Sequence, residues 1–207
     1  MDQRQVVYSM GEIPATLTIE YAVNGEGAIR VEEKMTPAAD AKDVPMLFRY
    51  GMQIPMPADF DRVDYYGRGP WENYSDRQQA SDLGRYTQSV SSQAYPYIRP
   101  QETGTRTDLR SWAVLDTAGT GLEFTSDAPF SASALNYYIA TLDGGPEKPN
   151  SHWGEIDRDD VTNVLVDRAQ MGVACVNSWG AIPLPAYRVP FGPYTFTFTI
   201  TPVRHRL

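Results

Sequence analysis

Tyr194-Thr195-Phe196-Thr197-Phe198-Thr199-Ile200 is apolar at every even position and threonine at every odd one. Successive side chains of a β-strand point to opposite faces, so this stretch offers one apolar face and one hydroxyl face. A helix of 3.6 residues per turn would scatter the four apolar side chains around its axis and bury none of them well. Aromatic and β-branched residues are also the ones that fit a pleated, half-buried surface. The stretch reads as a strand with a core on one side.

The same alternation recurs outward along the chain. Residues 16–23 and 28–33 alternate, and Asn24-Gly25-Glu26-Gly27 between them signals a hairpin, because Asn and Gly tolerate positive φ. Residues 5–10 form a short strand. Residues 36–43 are a polar, proline-containing loop. Residues 47–54 are a strand bounded by Pro45, Pro55 and Pro57. Residues 62–66 are another strand end, and 75–90 are mixed, with one helical turn at most. Residues 105–116 are a strand that turns at Thr117-Ala118-Gly119-Thr120-Gly121 into 122–125. Residues 130–140, 161–166 and 170–176 are further strands, and 142–160 is the longest loop, the kind that serves function or moves. No long 3.6-period stretch exists. The fold class is all-β, a large antiparallel β-sandwich in one domain over 1–207.

Composition narrows the function. The 13 Tyr, 16 Gly and 16 Pro suit strands and turns. A net charge of −8 argues against nucleic acid, whose phosphates need clustered Lys and Arg. No apolar run is long enough for a membrane span. The single Cys175 excludes an intramolecular disulfide. The first residues carry no apolar core of a signal peptide.

One loop stands apart: Gly67-Arg68-Gly69-Pro70-Trp71-Glu72-Asn73-Tyr74-Ser75-Asp76-Arg77. Gly67 and Gly69 admit backbone angles closed to other residues, and Pro70 fixes φ, so a sharp turn off the sheet is expected here. Glu72, Asn73, Asp76 and Arg77 crowd one short segment, as in a loop that folds its hydrogen bonds inward. With Glu102 and Arg106 they read as a structural network, carboxylate and guanidinium pairing bidentately over loop backbone. Trp112, alternating on a strand, and Trp71, in the packed loop, read as core residues.

This stretch resembles a segment of the C-terminal domain of family-2 glycoside hydrolases of the β-galactosidase type. So does Tyr95-Pro96-Tyr97-Ile98-Arg99-Pro100-Gln101-Glu102-Thr103-Gly104-Thr105-Arg106-Thr107-Asp108, and more loosely Met171-Gly172-Val173 with Asn177-Ser178-Trp179-Gly180. The three keep the family's order. The resemblance implies a supersandwich like that of galactose mutarotases, starting inside the domain so that its N-terminal edge lacks neighbours. It implies a bacterial-type parent enzyme that removes terminal β-D-galactose from β-D-galactosides, is a homo-oligomer, and holds Mg and Na in other domains. Both catalytic glutamates then sit in a barrel domain of the same polypeptide. The present chain has no catalytic residue, no metal and no cofactor, and walls the galactoside pocket. Trp179 matches the family tryptophan that lies against the substrate, with Asn177 and Ser178 beside it. A departure stands just before it: Ala174-Cys175-Val176-Asn177 replaces the family's glycines and acidic residues.

The residues themselves fit that reading. Retaining hydrolysis needs two carboxyl groups about 5 Å apart around one sugar, and no motif here sets such a pair. A pyranose presents an apolar C–H face, and an indole offers a flat surface with a polar edge. A rival reading is a free-standing carbohydrate-binding or aldose-mutarotase-like module. That chemistry generally uses histidines, and the chain has only His152, read as a hydrogen-bonded surface residue, and His205. No Cys pair, His-x-x-x-His or calcium-loop spacing is present. A purely structural interaction domain is the third reading.

Overall fold

The computed structural model describes residues 2–147, 149–174, 177 and 179–204. It contains ten strands: β1 (Asp2–Ser9), β2 (Ala15–Val23), β3 (Ile29–Pro37), β4 (Arg49–Met56), β5 (Arg62–Gly69), β6 (Asp82–Ser89), β7 (Arg106–Leu115), β8 (Gly121–Leu135), β9 (Thr162–Gln170) and β10 (Tyr194–Val203). Among the described residues the single α-helix is one turn, Ile139–Leu142. Among the described residues no helix is long and apolar enough to cross a membrane.

All pairings are antiparallel, in the order β1-β2-β3-β10-β8-β7-β5-β6, with β9 pairing β8 and β4 pairing β9. The network forks at β8. Its first part, Gly121 to Thr125, lies between β10 and β7, and its last part, Ser131 to Leu135, pairs β9. At the fork the register with β7 slips: Ser111 faces Thr125, but Leu109 faces Phe130. A bulge of this kind bends a strand and raises its twist. The two limbs then face one another as a sandwich. The Tyr50 ring on β4 lies 5.3 Å from that of Tyr194 on β10, and the Tyr50 hydroxyl donates to the Tyr194 carbonyl at 3.4 Å. Val31, Met35, Phe196 and Phe198 from one limb share a core with Tyr50, Met56, Val164 and Val166 from the other. Trp112 on β7, fully buried, packs on Tyr65 with ring centroids 5.1 Å apart.

The alternation of 194–200 is realised as read: Phe196 and Phe198 are buried, and the threonines between them are not fully so. The hairpin expected at 24–27 is present: it spans Asn24 to Ala28, its positive φ belongs to Gly27, and the Asn24 side chain accepts the N–H groups of Glu26 and Ala28. Several other sequence expectations are corrected. β3 runs on to Pro37, where a loop was expected, and β4 runs through Pro55 to Met56. A proline is tolerated there because β4 is an edge strand with an open side needing no N–H. Residues 75–90 hold a full strand, β6, hidden because its solvent-facing edge position dilutes the alternation. Residues 121–135 form one bulged strand rather than two. Residues 171–174 carry no strand.

The turn expected at Gly67 comes later. β5 continues through Gly67 and Gly69, which pair with Gly84 and Asp82, and the chain leaves the sheet after the cis Gly69–Pro70 bond. Neither glycine has positive φ. Both face inward, where a Cβ would stand 2.4 Å from Leu109 Cδ2 at position 67 and 2.3 Å from the Tyr65 hydroxyl at position 69. Their requirement is close approach.

Candidate functional site

β5 and β9 end, and β4, β6 and β7 begin, around one end of the sandwich, so the loops of 70–81, 90–105 and 171–193 meet there. Glu72 is the hub. Its carboxylate accepts the Gly104 N–H at 2.8 Å, the Thr103 hydroxyl at 3.0 Å, the Tyr97 hydroxyl, and Arg77 Nη2 at 3.4 Å. Burial first, and the hydrogen bond to Glu72 second, push the Tyr97 phenol up to about 12. Asn73 is buried with its amide filled: Nδ2 donates to the Arg68 and Trp71 carbonyls, and Oδ1 accepts from the Thr107 N–H and hydroxyl.

Arg106 is buried too, but it does not pair with a carboxylate as expected. It donates to the carbonyls of Gly104 and Pro70, at 2.8 and 2.9 Å, and to Gln88. A guanidinium with five donors in a fixed fork suits a turn that leaves several carbonyls without ladder partners. Glu102 instead pairs with Arg49, at 3.0 Å, and accepts from the Thr105 and Tyr74 hydroxyls. Arg49, Tyr97, Thr103 and Thr107 were missed from sequence. Arg49 is 53 residues from Glu102, and no local pattern announces such a partner.

Asp76 sits at the tip of a turn closed by two backbone bonds, Tyr74 N–H to Arg77 C=O and the reverse. It faces away from the Glu72 hub. Its two oxygens accept the N–H groups of Val173, at 3.1 Å, and Ala174, at 2.8 Å. Beyond that anchor, Asn177 Oδ1 accepts the Trp179 N–H at 2.9 Å. The Asn177 side chain thus shapes the turn that carries the indole. Trp179 is 90 % exposed. Ser178, like Cys175, Val176 and His205, lies outside the described residues. Phe48, Ile182 and Leu184 are exposed apolar residues of the segments joined to this loop: the Phe48 carbonyl accepts the Met171 N–H, and that of Tyr187 accepts the Gly172 N–H.

Trp71, expected in the core, is 69 % exposed. The chain leaves the sheet after β5, and Asn73 takes the buried place, its side-chain amide donating to the Trp71 carbonyl. Exposed His152 contacts Glu155 at 3.2 Å. Among the described residues no three His, Cys, Asp or Glu side chains gather closely enough to hold a metal ion. At the foot of the 171–174 loop lies a cleft of about 270 Å³, lined by residues including Tyr74, Gln78, Asp108, Phe130, Arg168 and Tyr187. That is below the roughly 300–1,000 Å³ of pockets that enclose a small ligand.

Comparison with known proteins bears on this geometry. A family model described as "Beta galactosidase small chain" matches residues 2–200. The chain belongs to the β-galactosidase small-chain family. It is 32 % identical over 190 residues to a β-galactosidase of Priestia megaterium, covering 91 % of this chain and 18 % of that protein. It is 37 % identical over 165 residues to a β-galactosidase of Lactobacillus delbrueckii subsp. bulgaricus, covering 79 % of this chain and 15 % of that protein. The small-chain domain thus spans less than a fifth of these relatives.

Proposed function

We propose that this domain forms one wall of the galactoside pocket of a β-galactosidase, with Trp179 laid against the sugar and Asn177 and Ser178 beside it. The hydrolytic glutamates, and any Mg or Na ion, belong to the rest of the enzyme, a barrel domain against which this domain packs. The observation that carries the reading is an indole 90 % exposed on a loop tied down at its base. Solvent gives no reason to hold a ring that way, whereas a pyranose C–H face does. Exposed Phe48, Ile182 and Leu184 supply apolar surface for the barrel to cover. The neighbouring cleft, about 270 Å³, lies at the lower end of ligand-pocket sizes, which suits a site completed by a second wall.

The test is Trp179→Ala in the assembled enzyme. Losing a stacked aromatic contact costs about 1–3 kcal/mol, so kcat/KM for galactosides falls roughly ten- to a hundredfold. Trp179→Phe recovers part of the loss, and the isolated chain does not hydrolyse a nitrophenyl galactoside. Unchanged kinetics in Trp179→Ala overturn the reading, as does turnover by the isolated chain that vanishes on mutating one of its own carboxylates.

A further inference from the structure

We infer that Asp76 is a positioning residue for the substrate-facing tryptophan: its carboxylate fixes the base of the Trp179 loop and so sets where the indole stands. The inference rests on the proposed role of Trp179. Two successive amides, Val173 and Ala174, converge on the two oxygens of one side chain. Successive backbone N–H groups that converge in this way form an anion-binding concavity, and here the anion is built into the chain. Ala174 has φ +53°, in the left-handed region that non-glycine residues seldom enter. A backbone held there needs something that overdetermines it, and the carboxylate is the group in contact.

The contact is tight from both sides. A Cβ on Gly172 would stand 2.4 Å from Asp76 Oδ2, so only glycine lets the loop come this close. Asp76 itself cannot retreat, because the turn from Tyr74 to Arg77 is closed at both ends and Tyr74 is buried. The loop is also tied by Met171 N–H to Phe48 and Gly172 N–H to Tyr187, and among the described residues Asp76 extends these ties to Val173 and Ala174. Trp179 is five residues past Ala174, and five residues reach at most about 18 Å. The direction the chain takes at Ala174 therefore bounds where the indole can stand. Residue separation hid this link: Asp76 and Ala174 are 98 positions apart.

The experiment is a double-mutant cycle in the assembled enzyme, with amide hydrogen exchange on the same proteins. Asp76→Asn is nearly isosteric but turns an NH2 group toward one of the two amides. The expected result is a fall in kcat/KM of at least fivefold, most of it in KM, and exchange at Val173 and Ala174 accelerated at least tenfold while the β-sheet amides keep their protection. Gly172→Ala, which strikes the same contact from the other side, gives the same pair of changes. In the Trp179→Ala background, Asp76→Asn has no further effect, because the ring it positions is gone. The inference is overturned if exchange at 173 and 174 is unchanged in Asp76→Asn, or if Asp76→Asn lowers kcat/KM equally with and without Trp179. Neutral kinetics in Trp179→Ala alone, with accelerated exchange in Asp76→Asn, place the failure in the proposed role of Trp179; the loop is then still fixed by Asp76 but positions nothing for substrate.

Discussion

Arg49 Nη2, on the edge strand β4, lies 3.6 Å from Asp167 Oδ2 on the neighbouring β9, with the aspartate side chain 2 % exposed. The same guanidinium reaches Glu102 in the loop above, so one partly buried cation joins β9 to the site loops. Burial pushes the Asp167 carboxyl up to about 7, even against the attraction of Arg49. Replacing Arg49 by Met leaves the carboxylate without its counter-charge. Breaking a buried pair from one side costs about 3–5 kcal/mol. Without Arg49 the Asp167 carboxyl keeps its proton to higher pH, so the loss should be larger at pH 8 than at pH 5 by up to about 1.4 kcal/mol, the part that comes from Glu102 being present at both. Urea unfolding at the two pH values checks this; an equal loss at both removes the electrostatic explanation.

Glu33 on β3 faces that carboxyl across the interior. Burial first, and the field of Asp167 second, push its own carboxyl from 4.5 up to about 7. The sign follows from linkage. The folded state holds this proton more tightly than the unfolded chain, so its contribution is complete below about pH 4.5 and is lost as pH rises through about 7. Within that window stability falls by up to about 1.4 kcal/mol per pH unit for one such proton. Glu33→Gln keeps the shape and cannot ionise. Its melting temperature should match the parent at pH 4.5 and exceed it at pH 8. A constant difference across the range would place the effect in packing.

Trp112 is fully buried between Tyr65 and the facing limb. Trp112→Ala opens a cavity worth about 3–5 kcal/mol. It should lower the melting temperature and soluble yield, unlike Trp179→Ala, whose ring is in solvent. Equal melting temperatures for the two variants would contradict the burial difference.

Gly67 of β5 and Gly25 of the β2–β3 hairpin look alike in sequence but stand in different surroundings. At Gly67 an added methyl meets Leu109, whose side chain is fully buried and has no room to swing, so Gly67→Ala should cost about 1–3 kcal/mol. Gly25, in the exposed hairpin, has nothing within 4 Å of an added Cβ, and Gly25→Ala should stay within about 0.5 kcal/mol. Chemical denaturation of the two variants tests the contrast.

That contrast explains how much could be read before the fold was known. The strands of 15–23 and 194–203 were legible because each buries one face, so burial writes a period of two into the residues. β6 was not, because an edge strand with little burial leaves no such record. Gly67 was recognised as unusual but for the wrong reason, since a glycine looks the same whether φ or a neighbour demands it. In the candidate site, the crowding of Glu72, Asn73, Asp76 and Arg77 was visible as composition. Their partners were not: Thr103 and Gly104 for Glu72, Thr107 on β7 for Asn73, and Val173 and Ala174 for Asp76 all come from distant parts of the chain.

Glu72 gives the sharpest check on those loops. Four donors converge on its carboxylate, and Thr103 among them is fully buried. Glu72→Ala leaves the Gly104 N–H without this acceptor inside the protein, where an orphaned group costs about 1–3 kcal/mol, while the Thr103 hydroxyl keeps the Tyr95 carbonyl at 3.3 Å. Destabilisation of about 1–3 kcal/mol is expected, with Glu72→Gln roughly half as severe, since one oxygen remains while the NH2 group opposes a donor. A local readout goes with it. The Tyr97 phenol sits at about 12 because of burial and then the hydrogen bond to Glu72. Removing the carboxylate deletes the second cause and leaves Arg77, which favours the phenolate. The Tyr97 titration, followed by carbon-13 labelling of the tyrosine rings, should therefore move down toward the ordinary value of 10 in Glu72→Ala. A loss of stability with Tyr97 still titrating near 12 would mean that burial alone holds the phenol neutral and that the Glu72 contact contributes nothing to it.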